Sequence, residues 1–210
     1  MVNVIDYKKE NKELYFPKTT PGIINVPEMN YVAIDGKGNP NDKNGEFNEA
    51  IPVLYSIQYT IKMSKKKKDI PEGYFDYVVP PLEGFWWVND KNDIGNKLKY
   101  IWTIVIRLSE FVDKKIFGWA CDEVLKNKKI DTEKAKYIKI NESLCVQCMH
   151  IGPFDDEPKT IKLIDKYIEQ NNLMNDINKE RWHHEIYLSD FREIKPEKMK
   201  TVLRIPVKNK

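Results

Sequence analysis

The chain has little of the material from which most recognisable chemistry is built. Three cysteines, three histidines and nine glycines are spread through 210 residues. No run of about 18 apolar residues occurs, so no segment reads as a membrane-spanning helix. Charge of either sign is hardly in excess: 35 basic residues face 32 acidic ones, a net charge of +3. That balance gives no electrostatic case for direct nucleic-acid binding. Met1–Glu10 is polar, without an apolar centre, so no secretory leader is expected. An odd number of cysteines without export signals points to reduced thiols and a cytoplasmic setting.

Several motifs are absent as well. Gly36-Lys37-Gly38 lacks the third glycine and the parallel context of a dinucleotide-binding loop. No Gly-x-Ser-x-Gly marks a nucleophile turn. Cys145-x-x-Cys148 lies inside an apolar strand, where residues three apart face opposite sides and cannot share a metal or a disulfide. His150, His183, His184, Glu185 and Asp190 show no recognised ligand spacing, so neither a metal site nor a cofactor is expected. His150 ends an apolar strand and reads as a hydrogen-bonded core or pocket histidine.

Aromatic residues are what the chain does have: 5 Trp, 11 Tyr and 8 Phe. Residues 1–27, with Pro17, Pro21 and Pro27, read as an arm too short for a helix-turn-helix. Met29–Ile34 alternates as a strand and ends in the turn formers Asp35–Pro40. A helix from about Glu46 to Met63 follows, with Phe47, Ile51, Leu54, Ile57 and Ile61 as its buried stripe. Tyr55 and Tyr59, four apart, form a neighbouring stripe. Ser64–Lys68 reads as a solvated, basic helix end. Tyr74–Val79, Leu82–Val88 and Lys99–Arg107 read as strands. A helix over about 109–126 carries too many apolar residues for a surface stripe and is expected to be well buried. The pattern then repeats, with a strand at Leu144–Ile151, a helix over Glu157–Gln170, a strand within Arg181–Asp190, a hairpin through Phe191–Glu197 and a last strand at Lys200–Val207. Strand–helix–strand–strand thus occurs twice, at about 28–107 and 144–207, in one α+β domain whose halves are too small to fold separately.

The informative stretch is Arg181–Asp190. Alternation puts Trp182, His184, Ile186 and Leu188 on one face, and His183, Glu185, Tyr187 and Ser189 on the other. The first face suits a core packed on helices; the second, a polar and titratable strip, suits a pocket wall. Two readings of Glu185 are open. It pairs with a basic residue on a neighbouring strand, such as Arg204, or it lines an apolar cavity as one of the few polar groups that orient a ligand. A buried carboxylate flanked by aromatic faces attracts organic cations. Burial also tends to raise a carboxyl pKa, which would suit Glu185 to general-base work on water. Trp86 and Trp87 point opposite ways in a strand, so one lines the cavity and the other joins the core; Trp87 is the favoured lining residue.

Leu82-Glu83-Gly84-Phe85-Trp86-Trp87, His184–Asp190 and Pro196–Arg204, with Met29–Asn39 and Tyr55–Tyr59, resemble the GyrI-like small-molecule-binding family over about residues 25–207. The resemblance implies two strand-helix-strand-strand (SHS2) modules in pseudo-twofold arrangement, with antiparallel sheets, helices on one face and a ligand cleft between modules. On that pattern a helix at about 109–126 bridges the modules of a single domain spanning 28–207. It implies binding of amphipathic, aromatic or cationic xenobiotics, as in multidrug-responsive regulators, with Glu185 at the position that meets the ligand. Unlike those regulators, this chain is not expected to carry a DNA-binding domain. The stand-alone members it resembles include hydrolases that open cyclopropane-bearing DNA-alkylating compounds inside an aromatic cage. Tyr55, Trp87 and Tyr187 are candidates for that cage, with Glu185 positioning or activating water. Tyr59, His183, Trp86 and Met149 complete the candidate lining. A small molecule is the expected partner, bound by a monomer or weak dimer, with no protein partner suggested.

Overall fold

Alternation and helical spacing decide most elements of the chain, and turn or capping residues set their ends. A computed structural model describes residues 4–66, 70–190 and 193–210, without the side chain of Lys91. In chain order these form α1 (Tyr7–Glu10), α2 (Lys12–Tyr15), β1 (Gly22–Val26), β2 (Met29–Lys37), α3 (Glu46–Lys62), β3 (Leu82–Trp87) and β4 (Ile101–Arg107). There follow α4 (Lys114–Lys128), β5 (Lys136–Ile140), β6 (Ser143–Ile151), α5 (Glu157–Gln170), β7 (Leu173–Asn175), β8 (His183–Tyr187) and β9 (Lys200–Asn209). The fold is α+β, with antiparallel strand pairing among these elements. The chain divides into two units. One contains residues 1–10, 29–80 and 88–140; the other contains 11–28, 81–87 and 141–210.

In the first unit β2 is the central strand, paired with β4 on one side and β5 on the other. Tyr31, Val32, Ala33, Ile104, Val105 and Ile106 are fully buried, as continuous apolar runs in a covered sheet should be. The expected stripe of α3 is the buried one: Phe47, Ile51, Leu54, Ile57 and Ile61 pack inward. Gln58 is buried with them, and its amide donates to the Arg107 carbonyl at the end of β4 (2.7 Å). Trp102 lies across Gly36 so closely that a Cβ there would fall 2.1 Å from the indole ring. Phe47 meets the same indole edge-on, with ring centroids 5.3 Å apart.

Two expectations fail in this unit. The helix expected over 109–126 begins only at Lys114, because the Asp113 carboxylate accepts from the Ile116 N–H (2.8 Å) and caps it there. Ala120 and Val124 are its buried residues, while Phe117 and Trp119 are partly exposed, so α4 is a half-exposed helix. Tyr74–Val79 makes an isolated bridge from Tyr77 to Ile5 instead of a strand. Its backbone partner is a short stretch beside Ile5, whose N–H donates to the Asp76 carbonyl and whose carbonyl accepts from Val78. The expected basic run Ser64–Lys68 lies partly outside the described residues; Met63–Lys66 form a 3-10 turn after α3.

In the second unit the strands run β1–β6–β9–β8–β3. β9 is long enough to serve two neighbours on one side, β8 along Thr201–Arg204 and then β7 along Val207–Asn209. α5 packs Ile164 and Ile168 onto Val146, Cys148, Leu203 and Ile205. Cys148 pairs with Leu203 and Cys145 with Pro206, so the two thiols take opposite faces, and both are free. β1, β5 and β7 carry no strong alternation and were not expected as strands. The expected Phe191–Glu197 hairpin includes residues 191–192, outside those described; the strands flanking it, β8 and β9, do pair antiparallel.

Candidate ligand-binding site

The register around β8 decides what each of its residues can reach. Leu203 of β9 and Gly84 of β3 are the strand partners of Glu185. Paired residues point the same way, so Glu185, His183, Tyr187, Gly84 and Trp86 share a face. Leu203 also packs under α5. The titratable strip therefore lies on the same side of this sheet as α5, not on the side opposite the helix.

On this face the polar atoms form a chain. The Trp86 Nε1–H donates to Tyr187 Oη (3.0 Å), and Tyr187 O–H donates to Glu185 Oε2 (2.8 Å). Oε1 of the same carboxylate lies 3.2 Å from His183 Nε2, and His183 Nδ1 lies 3.2 Å from the Arg204 carbonyl. Gly84 makes the arrangement possible. A Cβ at that position would come within 2.8 Å of both Trp86 Nε1 and Tyr187 Oη. Phe154 packs edge-on against Tyr187, with centroids 5.8 Å apart. Burial, then the Glu185 and Glu157 carboxylates, hold the Tyr187 hydroxyl well above the ordinary phenol range. Tyr187 is thus a hydrogen-bond donor here and not a base.

The opposite face of the same strands is a surprise. His184, assigned to an apolar core by alternation, is surrounded by charge. Its Nδ1 lies 3.0 Å from Glu142 Oε2 and its Nε2 3.0 Å from Glu83 Oε2. Glu142 Oε1 accepts from Arg204 Nη1 (2.8 Å), and Gln147 Oε1 accepts from Arg204 Nε (3.1 Å). Phe85 stacks on the His184 ring at 4.0 Å between centroids. Burial opposes ionisation of Glu142, but His184 and Arg204 override it and bring the carboxyl down to about 2. Burial likewise disfavours the His184 cation, yet Glu142 and Glu83 raise its pKa. Arg204 is therefore the partner of Glu142, and of the two readings left open for Glu185 the pairing with Arg204 is not the one formed.

The other candidates separate clearly. Trp87 has the parity opposite to Trp86 and stacks on Trp182, centroids 6.4 Å apart; Trp86 is the indole on the Glu185 face, reversing the sequence preference. Met149 is the strand partner of Val202, which also pairs with Ile186, so it lies on the His184 face. Tyr55 and Tyr59 belong to α3 of the first unit, where they stack on each other at 6.3 Å. His150 is committed to structure: Nδ1 meets Thr160 Oγ1 (2.9 Å) and Nε2 the Pro153 carbonyl (3.1 Å). Sequence reasoning missed Glu142 and Gly84, neither of which carries a local signal of its role.

The class that this fold and carboxylate-centred face suggest agrees with the comparisons. Residues 19–208 match the GyrI-like small molecule binding domain, and the chain belongs to that family. No match is found among curated proteins. A crystal structure of a hydrolase from Listeria innocua is similar at 45% identity and a TM-score of 0.89, covering 97% of this chain and 100% of that one. An uncharacterized conserved protein from Listeria innocua is similar at 46% identity and a TM-score of 0.92, with the same coverage. The EcmrR C-terminal domain shares the fold at 12% identity and a TM-score of 0.55, over 91% of this chain and 98% of that one. In the described residues no helix is long and apolar enough to cross a membrane.

Proposed function

We propose that this protein binds amphipathic, aromatic or cationic small molecules of the xenobiotic kind against Glu185, Tyr187 and Trp86. The observation that carries the reading is the Glu185 carboxylate. Its side chain is 13% exposed, and its bonding partners are His183 and Tyr187, with no lysine or arginine paired to it among the described residues. A largely buried carboxylate without a fixed cation, beside an indole and a phenol, is a good receptor for an aromatic organic cation. Thermal-shift measurements with aromatic cations should show stabilisation by the wild type that Glu185→Gln loses. A broad library without any stabilising compound would count against binding.

A second reading is favoured by the hydrolase description of a relative at 45% identity. In it Glu185 takes a proton from water as the water oxygen bonds to a strained, electrophilic cyclopropane carbon. The ring carbon–carbon bond breaks, and its electron pair passes into the conjugated system and is protonated there. Tyr187, whose hydroxyl keeps its proton, orients the carboxylate. Mass spectrometry of an incubated cyclopropane-bearing alkylator should then show uptake of one water, abolished by Glu185→Gln. Recovery of intact compound alone would leave binding as the function.

A further inference from the structure

The hydrogen-bond inventory at His183 is over-constrained in an informative way. A backbone carbonyl only accepts, so the 3.2 Å contact from Nδ1 to the Arg204 oxygen is a hydrogen bond only when Nδ1 carries hydrogen. Nε2, at the same distance from Glu185 Oε1, also faces an acceptor. The second carboxylate oxygen already accepts from Tyr187, whose own oxygen accepts from Trp86. Both contacts are hydrogen bonds at once only when a further hydrogen lies between Nε2 and Oε1, on the ring as imidazolium or on the carboxyl as acid. In either form His183 and Glu185 together hold one proton more than a neutral imidazole beside a carboxylate, and their combined charge is zero. The proton belongs to the pair.

Among the described residues, the other charged groups around the pair are directed elsewhere. Tyr187, on the same strand, is a neutral donor, and from α5 Glu157 acts on it as a further negative charge. On β9 the Arg204 guanidinium turns to the opposite face, to Glu142, Gln147 and the Leu14 carbonyl. Arg181 is engaged by Asp176 and by the Glu142 and Leu144 carbonyls. From β3 the contributions are Trp86, uncharged, and Glu83, which faces His184.

We propose that cation binding at this site is an exchange, in which the proton shared by His183 and Glu185 leaves to solvent as an organic cation docks on the freed carboxylate. His183 is then the proton-holding residue that makes the site charge-neutral when empty and anionic only when a cation is there to compensate. This rests on the binding reading above and adds its charge rule. If a proton is released as the cation docks, permanent aromatic cations gain affinity as pH rises, by up to tenfold per pH unit, whereas uncharged aromatics of the same size do not.

Isothermal titration of the full chain with tetraphenylphosphonium, which cannot itself titrate, gives the test. Run at one pH in buffers of different ionisation enthalpy, the apparent heat should vary with buffer and report release approaching one proton per cation. His183→Gln should bind with a buffer-independent heat, and the histidine ring-nitrogen NMR signals of the wild type should report loss of the shared proton on binding even if that variant does not fold. Tight binding by the wild type without proton release would overturn the exchange and leave the binding reading intact. No binding of this or any other aromatic cation would overturn both.

Discussion

His183 and His184 are neighbours in sequence and opposites in circumstance. His184 and its partner Glu83 are sealed, with side chains 0% and 1% exposed, whereas His183 and Glu185 retain 18% and 13%. On the sealed face two carboxylates, an imidazole and a guanidinium lie in ion-pair contact, and Gln147 and the Leu14 carbonyl accept from the other donors of Arg204. On the other face one carboxylate is held by two groups that carry no fixed charge. The first arrangement is closed off from solvent, with its countercharges supplied inside the fold. The second keeps a carboxylate in place while leaving its compensating cation to come from outside. Residue types alone do not separate a structural ionic cluster from a binding site; exposure and a fixed countercharge do.

Breaking the sealed face should have the largest effect. Arg204→Ala leaves Glu142 charged and buried without its guanidinium, and should cost about 3–5 kcal/mol of stability by urea unfolding. A loss below 1 kcal/mol would mean the cluster is far better hydrated than its burial implies.

Titrating it sharpens the contrast next. The Glu142 pKa is depressed to about 2 from an ordinary 4.5, so its contribution is complete above 4.5 and is lost as pH falls toward 2. The His184 pKa is raised above 6.5, so its contribution is complete below 6.5 and is lost as pH rises through the raised value. Both are in place between those ordinary values, and the urea midpoint should be highest there. Glu142→Gln should flatten the acid side of that profile.

The smallest effect belongs to the open face. Gly84→Ala puts a Cβ against Trp86 and Tyr187, both of which can move, at a cost of about 1–3 kcal/mol. Its mark should be on recognition, with aromatic-cation affinity reduced more than stability, read by thermal shift with and without tetraphenylphosphonium. Equal losses in both would assign Gly84 to packing alone.

Much of this could be read from the chain. Helical spacing located α3 and α5 because each buries a regular stripe, and alternation put Glu185, Tyr187 and His183 on one side of β8. What alternation cannot supply is the identity of the element that covers each side. α5 sits on the Glu185 side, and the ionic cluster on the other includes Glu142, which precedes a residue with left-handed backbone, Ser143 (φ 54°). Nothing local marks Glu142 as buried; its partners Arg204 and His184 are distant in sequence. The choice between Trp86 and Trp87 likewise waited on the register of β3 against β8. Asp113 did carry a visible capping signal for α4, and the wide apolar pattern around it obscured that signal.

The sealed cluster also has a roof. Arg204 donates to the carbonyl of Leu14 (2.9 Å) and Gln147 to that of Glu13 (2.7 Å), while Leu14 and Tyr15 are buried. The family match begins at residue 19. The recognition boundary and the folding boundary are therefore different places. A chain trimmed to residue 19 would keep every residue of the ligand face, yet it would strip the cover from a guanidinium that is fully buried in the intact protein.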